Sequence, residues 1–253
     1  MFRKKPIRFL LFFFAALLLF TMAVIFFQRA KVRKARFTRY PEFGINMPEG
    51  YPIHGIDVSK YQSTIAWEEV KAMQVKNIRM GFAFIKATEG IGNTDPHFKR
   101  NWKRSKEAGI FRGAYHFFIG SKDGKMQAEN FIDKVELERH DLPPVLDIEQ
   151  LNGASPAQLR KEAKRWLETA EQYYGVRPII YTNVDFYNRH LGQEFDTYPL
   201  WVAHYYQPEQ PRIGRGWVFW QHSDKGRVNG ITHPVDFNVF SGDSAEFERL
   251  LIR

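Results

Sequence analysis

The sequence predicts an α/β barrel preceded by a single N-terminal transmembrane helix. Eight apolar runs rich in β-forming residues recur between residues 53 and 240, each bounded by glycine, proline or polar residues. The spacing between their centres is about 30 residues for the first four steps and about 17–22 for the last three, whereas a parallel crossover with its helix needs roughly 30. Residues 9–27 form a run without any charged residue.

The N-terminal run is interpreted as a membrane anchor. A basic tail (1–8) precedes the anchor (9–27), and a basic linker (28–50) follows it. At about 1.5 Å per residue, the uncharged run spans roughly the 30 Å of bilayer hydrocarbon. A cleaved signal peptide is the alternative, but the run exceeds the usual apolar region of about 7–15 residues, and no small-x-small pair follows it before Gln28. We therefore expect an uncleaved anchor.

The net charge of +9 is concentrated beside that anchor. Residues 1–40 contain 10 of the 37 Lys and Arg residues and no acidic residue, which leaves 27 basic against 28 acidic residues in the remainder. Anionic lipid headgroups are the natural partner of such flanks, and we expect no nucleic-acid binding. The absence of cysteine excludes disulfides and thiol catalysis. The histidines lack metal-ligand spacing, so we predict no metal and no cofactor.

The predicted barrel domain occupies residues 51–253. Its expected strands are 53–58, 79–87, 111–119, 143–149, 177–183, 199–206, 216–223 and 235–240. Segments of helical character separate the first five strands, at 65–75, 96–108, 124–138 and 155–174. The last of these opens with Ser155 as N-cap and Pro156 at the first helical position. The pattern predicts repeated β-α units followed by strands with short, partly antiparallel connections.

Four carboxylates fall at strand ends. Asp147 and Glu149 are two residues apart, so an extended chain directs both side chains to one face, where repulsion and burial raise a pKa as a general acid requires. Pairing of both with Arg or Lys is the alternative. Asp57 ends the first strand and Asp236 begins the last, which are neighbours in a closed barrel. A capping role for Asp57 and a turn role for Asp236 are their alternatives.

Aromatic and amide side chains cluster at the same strand ends. Flat rings pack against the apolar faces of sugars, and amides bridge hydroxyl and N-acetyl groups. Packing in the barrel core is the alternative for each. No GxSxG motif occurs, which argues against a serine hydrolase. The candidates for sugar contact in this cluster are Tyr115, Tyr181, Trp201, Trp220, Gln221 and Asn238.

Eight short motifs over nearly all of residues 51–253 resemble the glycoside hydrolase family 25 lysozymes. They are HGIDVSKYQ (54–62), FIKATEG (84–90), GAYHF (113–117), VLDIE (145–149), IIYTN (179–183), LWVAHY (200–205), FWQHS (219–223) and VDFNVF (235–240). The resemblance implies a TIM-like (β/α)5β3 barrel. It also implies hydrolysis of the β-1,4 bond between N-acetylmuramic acid and N-acetylglucosamine in peptidoglycan.

The resemblance also implies roles for individual residues. Glu149 would be the general acid. Asp147 and Asp57 would stabilise positive charge at the anomeric carbon or orient the substrate's N-acetyl group. Asp236 matches a further acidic position, and Lys86, Tyr115 and Tyr181 resemble substrate-contacting positions.

Two alternative functions stay open: a non-catalytic, membrane-tethered peptidoglycan-binding protein, and a hydrolase of another N-acetylated glycan such as chitin. The orientation in the membrane is a separate expectation. Four basic residues precede the apolar run and six follow it, which slightly favours a cytoplasmic barrel by the positive-inside rule. A wall hydrolase has its substrate outside the cytoplasm, however. We therefore expect a single-pass protein of the bacterial cytoplasmic (inner) membrane with an extracytoplasmic barrel.

Overall fold

A computed structural model describes Phe14, residues 36–207 and residues 209–253. Residues 36–253 form one compact unit. A hairpin comes first, followed by a barrel of eight strands with two short accessory strands, β4 and β6. The strands are β1 Phe37–Tyr40, β2 Ile45–Pro48, β3 His54–Val58, β4 Gln74–Val75, β5 Ile78–Glu89, β6 Asn93–Thr94, β7 Phe111–Phe117, β8 Val145–Asp147, β9 Ile179–Asn183, β10 Leu200–Ala203, β11 Phe219–Gly226 and β12 Val235–Phe240.

All eight predicted strands are confirmed, and they close into a ring in the order β3, β5, β7, β8, β9, β10, β11, β12. The pairs from β3 to β11 are parallel. Strand β12 runs antiparallel to both of its neighbours, β11 and β3. The mixed connections predicted for the last strands are therefore confirmed, since a short turn between β11 and β12 permits antiparallel pairing alone.

The four predicted helices are also confirmed. They are α1 Trp67–Ala72, α2 Phe98–Glu107, α3 Gly124–Lys134 and α4 Pro156–Tyr174. Helix α4 begins as its sequence predicts, because the Ser155 side chain accepts a hydrogen bond from the Gln158 backbone N–H and Pro156 occupies the first turn. Short helical turns, with α5 at Val184–Phe186, make the fifth connection, and α6 Ser244–Leu250 follows the last strand.

Large aromatic side chains fill the lower part of the barrel and leave its upper rim open. Phe82, Phe84 and Phe219 are fully buried there. Two inward-facing glycines make room for these rings, since a Cβ on Gly55 would lie 2.5 Å from Phe82 and one on Gly113 would lie 2.6 Å from Phe84. The rings thus form a closed floor beneath the rim, as packed barrels require.

The hairpin β1–β2 packs on the outside of the barrel. Phe43 contacts Phe237 of β12 with ring centroids 5.4 Å apart, and Phe37 contacts Trp220 of β11 at 5.9 Å. The Arg227 backbone N–H donates to the Phe43 carbonyl at 2.9 Å. Residues 37–48 fall within the stretch expected to be linker, and the compact unit begins at Arg36. Among the described residues, the connections that lead into β11 and β12 contain no helix, and the hairpin covers the apolar side chains on the outer face of these strands instead.

The predicted anchor, residues 9–27, lies outside the described residues apart from Phe14. Within the described part of the chain, no helix combines the length and apolar character needed to cross a bilayer.

Candidate active site

A cleft of about 500 Å³ opens at the carboxyl ends of the parallel strands. This is the end at which barrel enzymes place their sites. Nine of the eleven residues predicted to act on or contact substrate line it. They are Asp57, Lys86, Tyr115, Asp147, Glu149, Tyr181, Trp201, Gln221 and Asp236.

Asp147 and Glu149 share this cleft at the end of β8. Burial and the neighbouring charge of Glu149 raise the pKa of Asp147 well above its usual range, and burial also raises the pKa of Glu149. The positive charge of the nearby Lys86 ammonium lowers the pKa of both Asp147 and Glu149 and so partly offsets this rise. Lys86 itself forms its ion pair with Glu89, at 2.7 Å. The alternative of an Arg or Lys ion pair for Asp147 or Glu149 is not seen among the described residues.

Asp57 and Asp236 meet across the closure of the barrel, as the sequence predicts. They are direct partners in the antiparallel pairing of β3 with β12, and their side chains hydrogen-bond to each other. Burial raises the pKa of Asp57 to about 6, and burial together with the Asp57 charge raises that of Asp236 to about 9. At neutral pH, Asp236 is therefore the protonated partner, and its carboxyl O–H donates a hydrogen bond to the Asp57 carboxylate.

Two amides support the charge on Asp57. Gln221 Nε2 and Asn238 Nδ2 each donate to Asp57 Oδ2 at 2.7 Å. The orientation of each amide is set by donors on its other end. The hydroxyls of Tyr181 and Tyr205 donate to Gln221 Oε1 at 2.7 and 2.6 Å, and the indole N–H of Trp201 donates to Asn238 Oδ1 at 2.7 Å. Both amides consequently present N–H groups to Asp57, which favours its ionised form.

Aromatic rings that pack on one another form the floor of the cleft. Trp201 stacks on Phe84 with centroids 4.2 Å apart, and Tyr181 lies 4.4 Å from Trp201. Tyr115 approaches the edge of the same indole at 6.4 Å. A rigid aromatic floor below four carboxyl groups is suited to hold a sugar ring against acidic groups.

Two residues predicted to bind substrate do not line the cleft. Asn238 is fully buried below it and acts on Asp57. Trp220 faces outward, where it contacts Phe37 and its indole N–H donates to the His204 carbonyl at 2.9 Å. Adjacent residues in a strand face opposite sides, so with Gln221 directed inward Trp220 must lie outside. The structure assigns Trp220 to packing.

The cleft also contains residues that the sequence prediction missed, including Glu89 and Tyr61. Glu89 lies three residues after Lys86 in β5, so regular alternation would direct the two side chains to opposite faces. The pairing of β5 with β7 is irregular between Lys86 and Thr88, and the two side chains form an ion pair. Tyr61 is 72% exposed and lies in the 3-10 turn Lys60–Gln62, which Ser59 caps. The sequence did contain a signal for Tyr61, because an aromatic residue in a capped turn directly after the strand of Asp57 is placed to reach the cleft. Within the described chain, no three His, Asp or Glu residues are arranged to hold a metal ion.

The comparisons with known proteins agree with this geometry. The chain is 48% identical over 206 residues to "Uncharacterized protein YegX" of Escherichia coli K12, covering 81% of this chain and 76% of that protein. It is 36% identical over 212 residues to "Lysozyme M1" of Streptomyces globisporus, covering 76% of this chain and 69% of that protein.

Solved structures show the same similarity. A family 25 glycosyl hydrolase from Bacillus anthracis matches with a TM-score of 0.75 and 32% identity, over 85% of this chain and 100% of that one. The family model for the glycosyl hydrolases family 25 matches residues 56–231, which is more than half of the chain. The protein therefore belongs to the glycosyl hydrolases family 25.

Proposed function

We propose that the protein is a muramidase that hydrolyses the β-1,4 bond between N-acetylmuramic acid and N-acetylglucosamine in peptidoglycan. The observation that carries this proposal is the meeting of four carboxyl groups from three strands in one cleft. Burial raises the pKa of each of them. Carboxyl groups that differ in protonation at neutral pH are what glycosidic bond cleavage requires.

Three of the four carboxyl groups act directly in the proposed reaction. Glu149, the more exposed member of the Asp147–Glu149 pair, protonates the glycosidic oxygen as the bond breaks. Asp147 Oδ1 is buried without a hydrogen-bond partner among the described residues, so it is available to orient the N-acetyl group of the substrate. Asp57, ionised through its amide donors, stabilises the positive charge that develops at the anomeric carbon.

The two alternatives make different demands on the cleft. A peptidoglycan-binding protein without turnover needs the aromatic floor but has no use for raised carboxyl pKa values. Such values make folding less favourable as pH rises, because each buried carboxyl group must lose a proton against its environment. A hydrolase of chitin would use the same carboxyl groups and would differ from a muramidase only in its substrate and product.

The test is digestion of purified peptidoglycan, reduction of the products with borohydride, and mass analysis. We expect muramitol at the reduced ends. Glucosaminitol at those ends would contradict the muramidase assignment, and cleavage of chitin oligomers at a matching kcat/KM would support the alternative substrate. Binding without any new reducing ends would support the receptor.

We further propose that residues 9–27 anchor the protein in the cytoplasmic membrane, with the barrel on the extracytoplasmic side. The uncharged length of the run supports the anchor, and the location of peptidoglycan supports the orientation. Alkaline phosphatase fused after Arg253 should be active in intact cells, and the fusion should sediment with membranes. Activity of a cytosol-dependent reporter at the same position would contradict the orientation, and a soluble product starting near residue 30 would show cleavage.

A further inference from the structure

A second cavity, of about 350 Å³, lies between the hairpin β1–β2 and the outer side of β11. We call it the hairpin cavity. Phe37 of the hairpin supplies an apolar wall, and Arg39 and Lys225 lie on its rim, both exposed. None of the described residues that line it is an aspartate or glutamate. The hairpin cavity is therefore cationic and partly apolar, in contrast to the acidic active-site cleft.

The wall of the hairpin cavity contains polar atoms without partners. Both ring nitrogens of His222 and the side-chain oxygen of Gln207 are buried and have no hydrogen-bond partner among the described residues. Burial lowers the pKa of His222 to about 3, so its neutral ring offers one donor and one acceptor. Buried polar atoms are nearly always hydrogen-bonded in folded proteins. A ligand rich in peptide groups would supply both kinds of partner.

Two adjacent tyrosines separate the hairpin cavity from the active-site cleft. Tyr205 lines the cleft and Tyr206 lines the hairpin cavity, with ring centroids 6.4 Å apart. Tyr206 is 68% exposed and has a left-handed backbone, with φ of 55°. A non-glycine residue in this region is strained, and such strain is concentrated at ligand-binding sites. Because these two tyrosines are consecutive in the chain, the hairpin cavity lies close to the cleft on this side of the barrel.

We propose that the hairpin cavity binds the acidic peptide that is linked to N-acetylmuramic acid in peptidoglycan, with Arg39 and Lys225 contacting its carboxylates. This inference rests on the proposed function. The peptide is the one part of peptidoglycan that combines carboxylates, amides and apolar side chains, which match the three properties of the hairpin cavity. Asp224 does not line the hairpin cavity. Its Oδ1 accepts a hydrogen bond from the Tyr206 hydroxyl at 3.2 Å. Chitin has no such branch, so the hairpin cavity would favour muramic-acid-containing polymers.

The test compares two substrates with the full-length protein: intact peptidoglycan, and the same glycan stripped of peptides by an amidase. For the double variant Arg39→Ala, Lys225→Ala we expect kcat/KM on intact peptidoglycan to fall roughly tenfold, the combined effect of two exposed ion pairs near the upper end of their usual range. On stripped glycan we expect a change of less than about twofold. The matched control is Lys99→Ala, Lys103→Ala on the exposed face of α2, which removes the same charge and should change neither value.

An equal fall in kcat/KM on the two substrates, or no fall on either, would overturn the proposed peptide site. A readout without turnover separates this inference from the proposed function. In a Glu149→Gln background, the double variant should weaken binding of a disaccharide-tetrapeptide roughly tenfold and leave binding of the peptide-free disaccharide unchanged. Equal binding of the disaccharide-tetrapeptide with and without the two cations would overturn the inference whether or not the wild type cleaves.

Discussion

Replacement of Asn238 by leucine tests how the protein keeps Asp57 ionised. Leucine has nearly the size of asparagine but cannot donate to Asp57 Oδ2, where Asn238 Nδ2 now lies at 2.7 Å. Gln221 would then be the remaining amide donor to this carboxylate. With less support for its charge, Asp57 should hold its proton to higher pH.

The size of this effect follows from the lost hydrogen bond. A hydrogen bond to a charged group contributes about 1.5–3 kcal/mol, and roughly 1.4 kcal/mol corresponds to one pKa unit. The pKa of Asp57, now about 6, should therefore rise by about one to two. The indole N–H of Trp201 also loses its acceptor, which should destabilise the fold by about 1–3 kcal/mol.

The assay is the pH profile of kcat/KM on soluble peptidoglycan fragments, with thermal unfolding measured on the same preparations. The acid limb should move upward by about one to two pH units. Gln127→Leu is the matched control, because Gln127 is a fully buried amide outside the cleft whose Nε2 donates to the Ile119 carbonyl at 3.0 Å. It should lower stability and leave the pH profile in place. A folded Asn238→Leu protein with an unmoved acid limb would refute the role assigned to Asn238.

Three further predictions concern packing and ionisation. Gly113→Ala places a Cβ about 2.6 Å from the Phe84 ring and should lower stability by about 1–3 kcal/mol in urea unfolding; an unchanged midpoint would contradict the tight floor. Phe43→Ala should cost about 3–5 kcal/mol, and a smaller loss would mean that the hairpin is not integral to the unit. The neutral form of Asp236 stabilises the fold at low pH, and this contribution is lost as pH rises through its raised pKa of about 9. Asp236→Asn should therefore make the free energy of unfolding less dependent on pH, and a steeper dependence would argue against a protonated Asp236.

The barrel was predictable because each of its strands is specified by a short, contiguous stretch of sequence. Each strand is an apolar run bounded by turn residues, and the change in spacing after the fifth strand distinguishes helical crossovers from short turns. The carboxyl groups were predictable for the same reason. Asp57 and Asp236 lie at ends of strands that ring closure makes neighbours, and the structure pairs them directly.

The hairpin was not predicted, because the reason for its formation is tertiary. Strands of four residues carry little periodic signal, and an isolated hairpin is marginal in water. Phe37 and Phe43 become ordered because the outer face of β11 and β12 is apolar and available for packing. A charge-rich stretch next to a predicted anchor therefore resembles a linker until its packing partner is known.

Side-chain direction explains the remaining differences at the site. Trp220 and Gln221 are adjacent in one strand, so they cannot both face the barrel interior. Asn238 does face inward, but the Asp57 carboxylate and the Trp201 indole occupy both ends of its amide. A sequence indicates which residue types lie near a site, whereas contact with substrate depends on which hydrogen bonds are already taken.

Cleavage and binding by Glu149→Gln, compared with the wild type on the same purified peptidoglycan, test the central claim most directly. The amide preserves size and much of the hydrogen bonding, so the variant should fold and bind glycan normally. The release of reducing ends should fall by about 10²–10⁴, the usual contribution of a positioned general acid. Removal of the neighbouring charge should also lower the pKa of Asp147, whose pKa that charge now raises. Release of reducing ends by Glu149→Gln at a rate near that of the wild type would contradict the account.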